Sequence, residues 1–384
     1  MKRRLRYGMV GGFPGAFIGG LHRAAIRLND NADLVCGCFS NVPEEQAQAV
    51  AAYGIAADRD YKTYQEMAET ESKREDRIDW VDIVTPNFLH YPVAKLFLEK
   101  GFNVVCEKPL CFTVAEGLEL KRIAKENGCL FCVTYTYTGH AMTREAKQIV
   151  QSGLIGKVHM VMGEYPQDGL LCFLKAAAGQ GLTNWRFDPV KSGRGATVAD
   201  IGTHIDSWVS YVTGLKITEV CCNLEKFEDG PPLDNNVMCI IKYDNGANGM
   251  YWASQVAVGY DNALRIRIMG DNGTLEFVQE NGNYLKLMLL NEPVKIYSRG
   301  RPYMTPEGSK QCRLPAGHAE GITEAFANIY KDFSTALYDQ LDKKVCAEES
   351  YGYPTIDMGI EGTEFFNKCI DSYEDNCTWK KLEY

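Results

Sequence analysis

Across the first 135 residues, short and almost wholly apolar runs alternate with stretches that carry helical spacing. Leu5–Val10, Leu34–Cys38, Trp80–Val84, Asn103–Glu107 and Leu130–Thr134 read as strands, and Ala16–Leu28, Glu44–Tyr53, Tyr64–Lys73, His90–Lys100 and Thr113–Asn127 as helices. Strands apolar on both faces and separated by helices belong to a parallel sheet covered on two sides. The pattern predicts a doubly wound α/β domain over residues 1–135.

After residue 135 the pattern changes. A helix over Thr143–Gln151 ends at Gly153, a strand Lys157–Gly163 follows, and a polar, Gly-rich connection runs from Pro166 to Gly195. Beyond a helix at Thr203–Thr213 come strands at Thr218–Leu224, Val237–Tyr243, Gly249–Gln255, Leu264–Met269, Gly273–Val278 and Tyr284–Leu290. Asp244-Asn245-Gly246 and Asp271-Asn272-Gly273 are expected to turn hairpins, because Asn-Gly supplies the positive φ a tight turn requires. Residues 136–384 therefore read as an α+β domain with a large, mainly antiparallel sheet, a final long helix at Glu320–Leu341 and a loop at Cys346–Pro354.

At 384 residues, 45% of them apolar, the chain is long enough for two domains with ordinary cores. Its net charge of −9 disfavours nucleic acid or an anionic membrane surface as the main partner, because both require a basic footprint. No run approaches the apolar length of a membrane-spanning helix. The basic opening Met1–Tyr7 leads into a Gly-rich turn and not into the apolar core of a secretion signal, so a cytoplasmic location is expected. The fourteen cysteines are scattered through apolar runs. Even Cys129-x-x-Cys132 lacks a second pair, so the set reads as reduced, buried thiols, and no metal is expected.

Four stretches carry chemistry. Gly11, Gly12, Phe13, Pro14, Gly15, Ala16, Phe17 and Ile18 stand where the first strand meets the first helix. Glycines there let a backbone approach a pyrophosphate, and the helix N-terminus stabilises its charge. The loop is longer than the usual G-x-G-x-x-G. At the tip of the second strand Ser40 and Asn41 replace the acid that commonly binds ribose hydroxyls, and no Arg stands ready for a 2′-phosphate; NAD is expected, with NADP still open. Thr85, Pro86, Asn87 and His90 follow the third strand at the sheet's carboxyl edge, either as cofactor contacts or as a loop in which Asn87 caps the next helix. Glu107-Lys108-Pro109 follows the fourth strand, where a Lys on a rigid element can polarise or protonate a substrate oxygen.

In the second half, Asp200 and His204 are spaced i, i+4, so a carboxylate and an imidazole share one helix face and can hold a hydroxyl and accept its proton. The alternative makes Asp200 a helix N-cap and His204 a packed core residue. No third ligand at a recognisable spacing supports zinc. Trp185 and Arg186, with Tyr165, Gln167 and Asp168, mix aromatics and amides in the way sugar recognition uses; the alternative makes Trp185 a cap on the sheet's core. His318, ahead of the last long helix, reads as a feature of that helix's start.

The Gly-rich opening through His22, Thr85-Pro-Asn-Phe-Leu-His90, Cys106-Glu-Lys-Pro-Leu110 and Asp200-Ile-Gly-Thr-His204 together resemble the glucose–fructose oxidoreductase/inositol dehydrogenase/rhizopine-catabolism (Gfo/Idh/MocA) family over essentially the whole chain. The Gly-Phe-Pro-Gly loop looks like the branch holding sugar and glycoside dehydrogenases. The resemblance implies an N-terminal Rossmann domain, a C-terminal sheet through which homodimers or homotetramers form, and hydride transfer between NAD(P) and a hydroxyl or ketone of a sugar, polyol or glycoside. It implies Lys108 as central catalytic residue, His204 as proton acceptor and Asp200 as its partner or a substrate ligand. The substrate-contacting set then comprises Lys108, Tyr135, Tyr165, Gln167, Trp185, Arg186, Asp200 and His204. Two other activities remain open for such a chain: transient oxidation of a glycoside by a tightly held NAD without net redox change, and ligand sensing without turnover.

Overall fold

The computed structural model describes residues 2–177, 185–227, 233–344 and 346–384. The expected connection Pro166–Gly195 thus includes seven residues, 178–184, that lie outside the described residues. Two compact units are present, Met1–Thr136 with Thr323–Ile360 and Tyr137–Ile322 with Glu361–Tyr384.

The first unit is built on five parallel strands, β1 (Leu5–Gly11), β2 (Ala32–Cys38), β3 (Trp80–Val84), β4 (Asn103–Cys106) and β5 (Phe131–Val133), in the order β2-β1-β3-β4-β5. All five residues of β3 are buried, as a strand covered on both faces demands. A single parallel bridge from Gly37 to Asp60 extends the sheet beyond β2. The helices Phe17–Asn29, Pro43–Tyr53, Tyr64–Glu71, His90–Glu99 and Val114–Asn127 connect the strands. The last opens on a capping box, Thr113 accepting from the Glu116 backbone while Glu116 reaches back, and ends on left-handed Gly128. The order in which strands are added reverses between β1 and β3, and at the carboxyl ends of such a pair ligands of these sheets bind.

Residues 323–360 pack with this unit, although the sequence pattern grouped them with the second half. Eleven of the 20 residues of the helix Ile322–Leu341 are buried, six of them consecutive, so the helix needs a partner surface on more than one side. Phe333 meets the Trp80 ring edge-on at 6.1 Å, Phe326 lies 4.9 Å from the His22 ring, and the Ala327 carbonyl accepts from Asn29. The chain continues to Thr355, which bridges Cys132 at the sheet edge.

The second unit holds a nine-stranded sheet. Its strands are β6 (Val158–Pro166), β7 (Ile217–Glu225), β8 (Asn236–Tyr243), β9 (Asn248–Ser254), β10 (Arg265–Gly270), β11 (Gly273–Val278), β12 (Tyr284–Leu289), β13 (Lys295–Ser298) and β14 (Lys380–Lys381). The order is β13-β12-β11-β10-β6-β9-β8-β7-β14, antiparallel except for the β6–β9 pair. The helices Ala141–Gln151 and Thr203–Thr213 cover one face: Trp208 stacks on Phe277 at 5.2 Å and donates to Thr143, and Ile205 fills the space a side chain at Gly163 would need. The Asn245-Gly246 turn has its positive φ, +87°. Gly273 does not; it lies within β11, and its missing side chain lets the Met288 carbonyl approach to 2.7 Å of the would-be Cβ.

Among the described residues, two helices longer than one turn stand where none was predicted. Gly169–Ala177 forms inside the connection read as polar, because Leu170, Leu171, Phe173 and Leu174 are a local apolar cluster. Ile356–Glu374 follows the expected loop, with Ile360, Phe365, Phe366, Cys369 and Ile370 on its buried side. Among the described residues no helix is long and apolar enough to cross a membrane.

Candidate active site

In the first unit the glycine turn is shaped by steric necessity. Gly11 and Gly12 adopt φ of +85° and +81°, and a Cβ on Gly19 would lie 2.4 Å from the Gly12 Cα, so turn and helix touch backbone to backbone. The helix Phe17–Asn29 starts from Ala16, which offers no side-chain cap, so its first N–H groups face outward for an anion. Phe13, Pro14, Gly15 and Ala16 form the turn, closed by the Ala16 N–H donating to the Phe13 carbonyl, and Phe17 and Ile18 begin the helix. The Gly12 carbonyl accepts from the Arg23 guanidinium at 2.8 Å and the Tyr53 hydroxyl at 3.0 Å, with Arg23 stacked over the Tyr53 ring at 3.9 Å. A cradle that glycine alone permits, at an uncapped helix N-terminus, fits a dinucleotide pyrophosphate.

At the tip of β2, Ser40 donates to the Glu45 carboxylate and its hydroxyl accepts from the Val42 N–H, while Asn41 is exposed. An acid thus stands at the tip after all, supplied by the first turn of the next helix. The sequence signal was the pair Glu44-Glu45 behind Pro43.

The loop after β3 holds Thr85 and Pro86, then a 3₁₀ turn Asn87–Leu89. Asn87 caps neither that turn nor the helix His90–Glu99, whose N-cap is Leu89, so the capping reading is withdrawn. His90 is buried, Nδ1 lying 2.7 Å from the Pro109 carbonyl and Nε2 3.0 Å from that of Thr85. It braces the loop after β3 against the loop after β4. In that second loop the Glu107 N–H donates to Ile83 at 3.0 Å, the Glu107 side chain turns inward, and the Lys108–Pro109 peptide is cis. Tyr135, just past β5, is fully buried.

In the second unit Asp200 lies in a single π-helical turn, Val198–Gly202, that runs into the α-helix Thr203–Thr213. Such turns are frequent at functional positions. The α-helix takes Gly202 as N-cap, not Asp200, whose carboxylate instead accepts from Gln255 Nε2 at 2.8 Å. Gln255 in turn accepts from the buried Thr197 hydroxyl. Asp234, whose carboxyl burial pushes above its ordinary range, accepts from the Ala196 and Val198 N–H groups at 2.6 and 2.8 Å and fixes the entry to the π turn. His204, on the first turn of the α-helix, is flanked by the rings of Tyr137 at 4.8 Å and Tyr165 at 6.1 Å.

Those two phenols hydrogen-bond to each other. Asn262 accepts from Tyr165 at 2.6 Å and from Gln167 Nε2 at 2.8 Å, and donates to Tyr137 at 3.2 Å. Burial raises both phenol pKa values above the ordinary one, so they remain neutral hydroxyls. Tyr137, Gln255, Asp234 and Asn262 were not singled out in the sequence; no local motif marks them, because they stand on four separate segments: the 3₁₀ turn Thr136–Gly139, the residue after β9, the approach to β8 and the turn before β10. Trp185, half-buried, and exposed Arg186 form a 3₁₀ turn with the guanidinium 4.6 Å over the indole, and Asp168 accepts from the Gly259 N–H. His318 lies in the turn before the helix Ile322–Leu341, its carbonyl accepting from Arg299.

All fourteen cysteines are free thiols, eight of them buried. Cys222, Cys239 and Cys369 meet in the second unit, with sulfur separations of 2.8 Å for the first two and 3.6 Å for the last two.

Comparison with known proteins bears on the whole chain. Residues 5–135 match the oxidoreductase family NAD-binding Rossmann fold, and residues 143–276 match the GFO/IDH/MocA C-terminal domain. An uncharacterized oxidoreductase of Bacillus subtilis, YfiI, is 34% identical over 100% of this chain and 98% of its own length. The inositol dehydrogenase homolog from Azotobacter vinelandii, solved with NAD+, superposes with a TM-score of 0.92 at 31% identity, covering 100% of this chain and 98% of that one. An oxidoreductase from Sinorhizobium meliloti superposes with a TM-score of 0.88 at 38% identity, covering 99% and 100%. The chain belongs to the Gfo/Idh/MocA family of oxidoreductases, with its NAD-binding Rossmann domain at the N-terminus.

Proposed function

We propose that this oxidoreductase oxidises a secondary hydroxyl of a sugar, polyol or glycoside with NAD. The observation that carries the substrate class is the neutral wall around His204, where Tyr137, Tyr165, Gln167 and Asn262 offer hydroxyl and amide groups suited to a polyhydroxylated ring. The solved Azotobacter vinelandii homolog with NADH and myo-inositol, 30% identical over this whole chain at a TM-score of 0.90, supports the same class.

NAD, held by Gly11–Ile18 with Ser40, Asn41 and Thr85–Asn87, supplies the hydride acceptor. His204 accepts the hydroxyl proton, with Asp200 on the same helical face as its partner. The Lys108 ammonium holds the oxygen as it becomes a carbonyl, and Glu107 and His90 fix the turn from which Lys108 projects. Tyr135, Trp185 and Arg186 complete the substrate contacts. Overall a carbinol and NAD+ give a ketone, NADH and a proton. Copies pair through the uncovered sheet face, where exposed Ile240 and Met250 lie directly opposite one another, with exposed Met238 also on β8 and exposed Met160 on the neighbouring β6.

The test is a panel of myo-inositol, levoglucosan, aldoses and glucosides with NAD and NADP, read by reduced-nicotinamide absorbance. With the substrate found, Lys108→Ala and His204→Ala should still bind NADH but lose about 10²- to 10⁴-fold in kcat. Near-normal turnover by either would refute its role. Nicotinamide that copurifies and is never exchanged would instead support the cycle without net redox change.

A further inference from the structure

His22 lies on the helix that follows the glycine turn, and its side chain is fully buried. Nε2 is 3.0 Å from a Glu107 carboxylate oxygen; Nδ1 is 3.2 Å from both oxygens of Asp82 and 2.6 Å from the Tyr330 hydroxyl. Tyr330 itself donates to Asp82 at 2.8 Å, and Thr134 donates to Glu107. Carboxylate oxygens only accept, so an imidazole with a carboxylate on each nitrogen must donate from both, and a ring that does so is cationic. A neutral ring would set a lone pair against a carboxylate in a low-dielectric interior.

We propose that His22 is a buried imidazolium that clamps Glu107 and thereby positions Lys108. The inference deepens the reading of Lys108 given above and rests on it. The mechanical link is short: the Glu107 backbone is tied to Ile83, its side chain to His22 and Thr134, and the Pro109 carbonyl to His90, which leaves Lys108 between two fixed neighbours. The electrostatics agree with the geometry. Burial alone would lower the His22 pKa, but Asp82 and Glu107 reverse that and push it up to about 9. Burial would raise Glu107, and the hydrogen bond and charge of His22, then Lys108 and Thr134, bring it down to about 2. The other groups facing the ring are Tyr330 and the apolar Phe326.

Two measurements test the proposal. In protein carrying nitrogen-15 histidine, NMR at neutral pH should show a ring protonated on both nitrogens that is missing from His22→Gln; a neutral His22 ring would overturn the assignment. With the substrate found in the panel, His22→Gln should lower kcat about 10- to 100-fold with little change in the Kd for NADH. His22→Gln/Asp82→Asn removes the surplus carboxylate charge and should recover the melting temperature without recovering kcat. It also serves as the test if the single variant does not fold. Return of kcat together with the melting temperature would reduce His22 to a structural role and overturn the positioning. If the wild type oxidises nothing in the panel, the functional reading fails separately. Acetic anhydride labelling still reads the positioning then: the rate at Lys108 relative to exposed Lys295 should change at least threefold in the variant, and an equal rate would overturn it.

Discussion

Asp206 carries the sharpest stability prediction. It lies on the helix Thr203–Thr213, 5% exposed, close to the Lys216–Glu361 ion pair. Burial raises its pKa, the Glu361 charge raises it further and Lys216 offsets part of this, leaving it at about 7 against an ordinary 3.8. A carboxyl whose folded pKa exceeds its unfolded one favours the fold only while protonated. That stabilisation is complete below about pH 3.8 and is lost as pH rises through about 7. At about 1.4 kcal/mol per pH unit, the interval corresponds to about 4 kcal/mol of stability missing above pH 8. Asp206→Asn keeps the shape and removes the titration. It should be neutral below about pH 4 and stabilise the second unit by about 4 kcal/mol above pH 8, an increase of about 10 °C in melting temperature for a unit of this size. Thermal unfolding followed by circular dichroism across that pH range is the assay. An equal gain at acid and alkaline pH, or a loss at alkaline pH, would refute the reasoning.

Gly19→Ala forces a methyl onto the Gly12 Cα and should raise the Kd for NADH about tenfold or more while the protein stays folded, checked by nicotinamide fluorescence titration and circular dichroism. Asn262→Leu strips the shared partner from Tyr137, Tyr165 and Gln167. It should raise the KM for the sugar or polyol about tenfold with the NADH Kd unchanged, as buried polar groups left unmatched disfavour the neighbouring site.

The α/β alternation of the first half was legible because its strands are apolar on both faces, as β3 is, and because a helix such as Val114–Asn127 is bounded by its own signals, Thr113 and Gly128. The strands of the second unit were legible for a different reason: alternate burial along β8 exposes Met238, Ile240 and Lys242 while burying the residues between them. The helix Ile356–Glu374 was readable from its Ile360, Phe365, Cys369 spacing, but the preceding Pro354 and the charged tail masked it. What no pattern conveys is pairing at long range. Asp82 reads as an odd polar residue in an apolar strand, Tyr330 as one aromatic of an amphipathic helix and His22 as the end of a glycine motif. Only the return of residues 323–360 to the first unit brings the three together, across separations of 60 and 308 positions from His22.

The same distinction bears on how an acidic chain holds an anionic cofactor. A net charge of −9 opposes NAD at long range, so local geometry must supply the affinity. The Gly12 carbonyl, held by Arg23 and Tyr53, is one such device. In a planar trans peptide the following N–H, that of Phe13, points the opposite way, so bonds on one side of the turn aim a donor toward the other. Tyr53 and Arg23 then act on cofactor affinity through the turn they brace. Tyr53→Phe removes one hydroxyl and leaves the ring under Arg23, and one lost hydrogen bond of about 1 kcal/mol should weaken NADH binding about fivefold. Unchanged affinity in a fluorescence titration would mean that the glycines alone set the turn and that the carbonyl anchor contributes nothing to binding.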